Sequence, residues 1–85
     1  MSSPLITQET LFRILVATAG ESDALHGDAL NTPFEELDYD SLALMEAAAR
    51  IKQEMGVSIP EEELVEVKTP REMLDLVNEL IGEAR

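Results

Sequence analysis

Any chemistry in this chain has to come from hydroxyls and carboxylates, because it contains no cysteine and a single histidine, His26. The densest grouping of such side chains is Asp38-Tyr39-Asp40-Ser41, inside the stretch Leu37-Asp38-Tyr39-Asp40-Ser41-Leu42-Ala43-Leu44-Met45-Glu46. Ser41 is the candidate working residue. A nucleophilic serine needs a positioned base to take its proton, and none adjoins Ser41 in sequence. Ser41 therefore reads as the acceptor of a group delivered by another protein, not as a catalyst. Paired carboxylates do acid–base work where apolar burial separates their pKa values, and these lie on loops and helix starts. Asp38-Tyr39-Asp40 has the first spacing of a calcium loop, but the glycine and closing glutamate are missing at their offsets. No phosphate-cradling glycine loop is present. Neither a catalytic residue nor a metal site is expected, and a lone loop histidine such as His26 is read as a surface residue.

The element that must position Ser41 is a helix. Asp40 reads as its N-cap, a short carboxylate able to accept a backbone N–H that has no partner inside the helix. Ser41 then occupies the first helical position, its hydroxyl pointing outward near the positive end of the helix dipole, where a phosphate ester is well accommodated. The spacing predicts a helix from Ser41 to about Met55, closed by Gly56. Leu44, Ala47, Ala48, Ile51 and Met55 form one apolar stripe suited to a core. Leu42, Met45 and Ala49 follow helical spacing on a roughly opposite side, interleaved with Glu46, Arg50 and Gln53. That second set fits either a central helix wrapped by neighbours or an exposed docking strip beside the serine. Glu46 and Arg50 are residue types rarely buried, which favours the strip.

Three further helices are expected around this one. The first is capped by Thr7, runs from Gln8 to Ala19 and stops at Gly20, with Leu11, Ile14, Leu15 and Thr18 at helical spacing and Phe12 and Val16 widening the face. A long connection from Glu21 to Tyr39 follows, anchored singly by Leu25, Leu30, Phe34 and Leu37, with a helical turn at Pro33-Phe34-Glu35-Glu36-Leu37. After Val57-Ser58-Ile59-Pro60, a brief helix opens on Glu61, Glu62 and Glu63, with Leu64, Val65 and Val67 supplying one or two anchors. Thr69-Pro70-Arg71-Glu72 starts the last helix, with Thr69 as cap, proline at the first position and Glu72 completing a capping box. That helix is expected to reach about Ile81, with Gly82 after it. Asn78 lies at the edge of its apolar face.

Composition sets the outer limits. At 85 residues the chain is read as a single domain, residues 1–85, resting on apolar helix packing since no disulfide or zinc site can brace it. The fold class expected is all-α, an antiparallel bundle of three main helices plus one short helix, with a long first loop. Eighteen acidic side chains against six basic ones leave a formal net charge of −12. Nucleic acid is an unfavourable partner for such a surface, whereas proteins presenting basic patches are favourable ones. No run reaches membrane-spanning length and no signal peptide is visible, so a cytoplasmic location without membrane association is expected.

These residues carry a resemblance. Asp40-Ser41-Leu42 at the head of an acidic helix resembles the attachment motif of acyl carrier proteins. Leu37 through Arg50, Gly56-Val57-Ser58-Ile59-Pro60, and Thr69 through Asn78 together resemble the stand-alone carriers of type II aromatic polyketide synthases, over about the whole chain. The resemblance implies an acyl carrier domain whose Ser41 is esterified to 4′-phosphopantetheine by a separate phosphopantetheinyl transferase, with Asp40 as motif partner. It implies a phosphoprotein of antibiotic biosynthesis whose arm holds malonyl and poly-β-keto intermediates as thioesters. It also implies a monomer serving a ketosynthase and chain-length factor, a malonyl transferase, a ketoreductase and cyclases. Leu42, Met45 and Glu46, with Ala49 on the same strip, would face those partners. A cleft between the second and fourth helices, with Ala47 and Ala48 leaving room and Arg71 and Asn78 at its margin, is the hypothesised place for the acyl chain. One departure stands out: the family commonly has glycine two residues before the motif aspartate, where this chain has Asp38. A fatty-acid carrier is the rival within the family, and an acidic helical interaction module the rival outside it.

Overall fold

Thr7 caps helix α1, Gln8–Ala19, by accepting the Thr10 backbone N–H on Oγ1 at 3.2 Å. Gly20 ends it at φ 91°, a conformation that favours glycine, and donates its N–H to the Val16 carbonyl. In this computed structural model the described residues are 5–20 and 27–83, so the expected anchor Leu25 and His26 lie outside them. Helix α2 spans Ser41–Met55, α3 is the single turn Glu61–Leu64, and α4 spans Pro70–Glu83. Two 3₁₀ turns, Gly27–Asn31 and Phe34–Leu37, bridge the long first connection. No strand occurs among the described residues, and none of their helices is long and apolar enough to cross a membrane.

The apolar stripes meet in one core. Leu11, Ile14 and Leu15 of α1 pack with Leu44, Ala47 and Ile51 of α2 and with Met73, Val77 and Ile81 of α4, and most of these are fully removed from water. Each such large side chain contributes on the order of 1.5–3 kcal/mol by burial. Thr18, placed by spacing on the same face of α1, is half-buried and donates its hydroxyl to the Ile14 carbonyl at 2.8 Å.

The first connection is stitched down at several points. The Phe34 N–H donates to the Lys68 carbonyl at 2.8 Å, Arg71 Nε donates to Asn31 Oδ1 at 2.9 Å, and the Tyr39 hydroxyl donates to the Gly20 carbonyl at 3.0 Å. Phe34, Leu37 and Tyr39 are buried, with the Phe34 and Tyr39 rings edge-on at 6.3 Å between centroids. Of the expected anchors, Leu30 is only half-buried, and its neighbour Ala29 takes the buried place.

Toward the C-terminal end one expectation holds and two are corrected. Of the three residues expected to supply one or two anchors after Pro60, Leu64 and Val67 are buried and Val65 is 62% exposed. Leu64 and Val67 share one face of the turn three residues apart, and the residue next to Leu64 points elsewhere. Helix α4 continues through Gly82 to Glu83, because glycine ends a helix by turning left-handed and Gly82 has no positive φ. The capping box of α4 is shifted by one residue: Thr69 Oγ1 accepts the Glu72 N–H at 3.2 Å, but Glu72 Oε1 accepts the N–H of Lys68, not of Thr69.

Candidate functional site

Ser41 owes its surroundings to the residues just before it. Asp38 sits in the left-handed region at φ 64°, ψ 28°, the one non-glycine residue among those described with positive φ. That conformation turns the chain back so that the Tyr39 N–H reaches the Phe34 carbonyl at 3.0 Å. Glycine would adopt it without strain, and aspartate tolerates it better than most residues. Asp40 follows in extended conformation and accepts the Ala43 N–H on Oδ1 at 2.9 Å, capping α2.

Because Asp40 takes the cap, the Ser41 hydroxyl is left unspent. Ser41 is exposed and makes no side-chain hydrogen bond among the described residues. It stands at the first position of a 15-residue helix with no acidic side chain within the first turn. The unpaired N–H groups and dipole of that end suit a phosphate oxygen.

A groove of about 540 Å³ opens beside this serine. One wall comes from the loop through Phe34, Glu35 and Asp38, another from α2 through Leu44 and Met45, and the third from Leu64, Val65, Val67 and Lys68. Its floor is apolar, since Phe34, Tyr39, Leu44, Leu64 and Val67 are core residues. A slender arm esterified to Ser41 fits this arrangement: its phosphodiester would meet the helix start and its length would follow the groove. Sequence reasoning did not single out Val65 or Lys68 as groove residues, and only the groove that they share with Phe34 and Leu44 reveals them.

The strip on α2 emerges as expected in exposure. Leu42 is 64% and Met45 48% exposed, while Glu46 and Ala49 also face solvent. Met45 lines the groove beside Ser41 and also a second one of about 260 Å³ toward Ser58 and Ile59, whereas Glu46 and Ala49 border a third with Thr18 and Gln53. The four residues named for an acyl-chain cleft are not brought together in any of these grooves. Ala47 is fully buried, Ala48 lines the second groove, Arg71 holds Asn31, and Asn78 binds both backbone groups of Ile6.

Far from the serine, Glu54 on α2 accepts from Arg13 of α1 at 2.8 Å and from Arg50 at 3.4 Å. The hydrogen bond from Arg13 holds the Glu54 carboxyl below the usual carboxylate range and raises the guanidinium. This pair joins helices and takes no part in the groove. Among the described residues no group of three or more His, Asp or Glu is arranged to hold a metal ion.

Known proteins share this arrangement. Residues 10–77 match the family described as "Phosphopantetheine attachment site". The actinorhodin polyketide synthase acyl carrier protein of Streptomyces coelicolor is 52% identical, the match covering 94% of this chain and 95% of the relative. The granaticin polyketide synthase acyl carrier protein of Streptomyces violaceoruber is 53% identical over 93% and 95%. The solved actinorhodin holo acyl carrier protein from S. coelicolor superposes with a TM-score of 0.84 at 49% identity, covering 98% of this chain and 99% of that one. A family match over most of the chain and half-identical relatives of equal extent agree with the exposed serine and its groove: this chain belongs to the phosphopantetheine attachment-site family, as an acyl carrier protein of the type II polyketide synthase kind, a carrier and not an enzyme.

Proposed function

We propose that Ser41 is the residue that carries the 4′-phosphopantetheine arm. The observation that supports this is an exposed hydroxyl, left without a partner by the Asp40 cap, at the start of a long helix and at the mouth of a groove. With the neighbouring Asp40 carboxylate committed to the helix cap, Ser41 would surrender its proton to a base on the phosphopantetheinyl transferase as its oxygen bonds to the pantetheine-side phosphorus of coenzyme A, whose pyrophosphate P–O bond breaks and releases adenosine 3′,5′-bisphosphate. When bound, the arm supplies the thiol that this cysteine-free chain lacks, and a thiol is what holds an acyl unit as a thioester.

The cargo proposed is malonyl and poly-β-keto units of aromatic polyketide biosynthesis, in keeping with relatives named for actinorhodin, granaticin and tetracenomycin synthases. These likenesses do not favour a fatty-acid carrier or a free-standing interaction module. Residues 1–85 are taken as one carrier domain acting in the cytoplasm. The partners are the transferase, a ketosynthase with its chain-length factor, a malonyl transferase, a ketoreductase and cyclases. They would read Leu42, Met45, Glu46 and Ala49, two large apolar side chains in water beside carboxylates. Longer chains would enter the bundle past Ala47 and Ala48 toward Arg71 and Asn78, which movement of the Arg71 and Asn78 side-chain resonances on acylation tests.

Intact mass after incubation with a broad-specificity phosphopantetheinyl transferase and coenzyme A decides the attachment. The expected result is a gain of one phosphopantetheine that disappears in Ser41→Ala. A gain that persists in that variant moves the site elsewhere, and no gain in the parent chain removes the reading.

A further inference from the structure

Among the residues that line the groove beside Ser41, Lys68 is the one cation, set against Glu35, Asp38 and Asp40. Its ammonium forms no ion pair or side-chain hydrogen bond among the described residues. The backbone around it is held on both sides, since its carbonyl accepts the Phe34 N–H at 2.8 Å and its own N–H donates to Glu72 at 2.9 Å. A cation with a fixed base and an uncommitted head, over a floor of Phe34, Leu64 and Val67, suits a ligand that is apolar in its stem and anionic at its tip.

We infer that Lys68 anchors the free carboxylate of a malonyl unit carried on the arm, and so distinguishes a malonyl-loaded chain from an acetyl-loaded one. This rests on Ser41 bearing the arm. The phosphodiester is the other oxyanion that the arm brings, and comparison of differently loaded arms separates the two. It is fixed to Ser41 at the start of α2, whereas Lys68 follows α3 and lines the same groove from the segment whose carbonyl accepts the Phe34 N–H. Glu35 and Asp38 repel a carboxylate from the loop wall, and Lys68, although the Glu72 carboxylate meets its backbone N–H, is the one lining residue whose charge attracts it. Nothing covalent is required of Lys68; it supplies a charge-assisted hydrogen bond to a carboxylate oxygen.

The test uses full-length protein carrying the plain, acetylated or malonylated arm, each confirmed by intact mass, with lysine Cε and the malonyl carboxyl labelled with ¹³C. The Lys68 signal, assigned by its loss in Lys68→Gln, is expected to move in the malonyl form and to stay in place in the other two. The malonyl carboxyl is expected to titrate lower by about half a unit in the parent chain than in Lys68→Gln, a modest shift because the site is open to water. Equal movement in all three forms would show that Lys68 holds the phosphodiester, and a silent Lys68 on a correctly loaded chain would show no anchor; either overturns the inference while leaving the attachment reading intact. Failure to load, seen by mass, would remove both.

Discussion

Asn78 closes both backbone groups of Ile6: its Oδ1 accepts the Ile6 N–H at 2.8 Å, and its Nδ2 donates to the Ile6 carbonyl at 3.2 Å. The two residues lie 72 positions apart, so one side-chain amide of α4 fastens the segment that leads into α1. Ile6 itself is buried, which makes its unpaired backbone expensive if the amide is lost. Asn78→Ala should destabilise the unloaded chain by about 1–3 kcal/mol, lowering Tm by roughly 4–8 °C per kcal/mol for a domain of this size. Calorimetry checks this, and an unchanged midpoint would rule out the clamp.

Removing the α2 cap should affect both stability and loading. Asp40→Ala is expected to cost about 1 kcal/mol and to speed amide exchange at Ala43, whose N–H loses its acceptor. Because the frayed turn contains Ser41, transfer of the arm should slow in the same variant. Exchange and transferase kinetics on one sample test the link between the two effects.

Asp38 gives the opposite sign. Glycine adopts φ 64° at no steric cost, so Asp38→Gly should raise stability by about 0.5 kcal/mol, whereas Asp38→Ala, which lacks the polar side chain that eases left-handed geometry, should lower it by about 1 kcal/mol. Urea titration of the three proteins would order them Gly, Asp, Ala if backbone conformation governs the position.

The Arg13–Glu54 pair predicts a pH dependence. The Glu54 carboxyl titrates lower in the folded chain than in the unfolded one, so its contribution is present above the unfolded pKa and is lost as pH falls through the folded value. The stability difference between the parent and Glu54→Gln should therefore be present at neutral pH and vanish in acid. Added salt should shrink it too, since both side chains are open to water.

Reversing a charge on the α2 strip tests docking without touching the core. Glu46 faces solvent, and Glu46→Lys should slow association with a ketosynthase that presents a basic patch by about tenfold at low salt, leaving Tm nearly unchanged. Stopped-flow association rates would reject the strip if they stayed the same.

Elements with local punctuation were legible from sequence. Thr7, Asp40 and Thr69 each perform the capping expected of them, and Gly20 and Gly56 stop α1 and α2 where the apolar period ends. Gly82 carried the same signal and did not stop α4, because composition alone cannot say whether a glycine turns left-handed. Which of Leu64, Val65 and Val67 would be the anchors was not legible, because a one-turn helix contains too few residues to reveal its buried face. The long-range bonds, Asn78 to Ile6 and Arg71 to Asn31, leave no local trace, and so the polar residues of α4 could be seen as edge positions but not paired. Beside the groove, the Asp40 cap and the exposure of Ser41 could be read from sequence, whereas the groove wall formed by Val65 and Lys68 could not, since it depends on the long-range bond from the Phe34 N–H to the Lys68 carbonyl.

The chain contains one tyrosine and no tryptophan, and that tyrosine is Tyr39, two positions before Ser41. Its hydroxyl is bonded to the end of α1 and its ring is set against Phe34 in the groove wall. The intrinsic emission above 300 nm therefore comes from a single chromophore inside the site, and arm attachment or acyl loading can be followed optically on the natural sequence without adding a label.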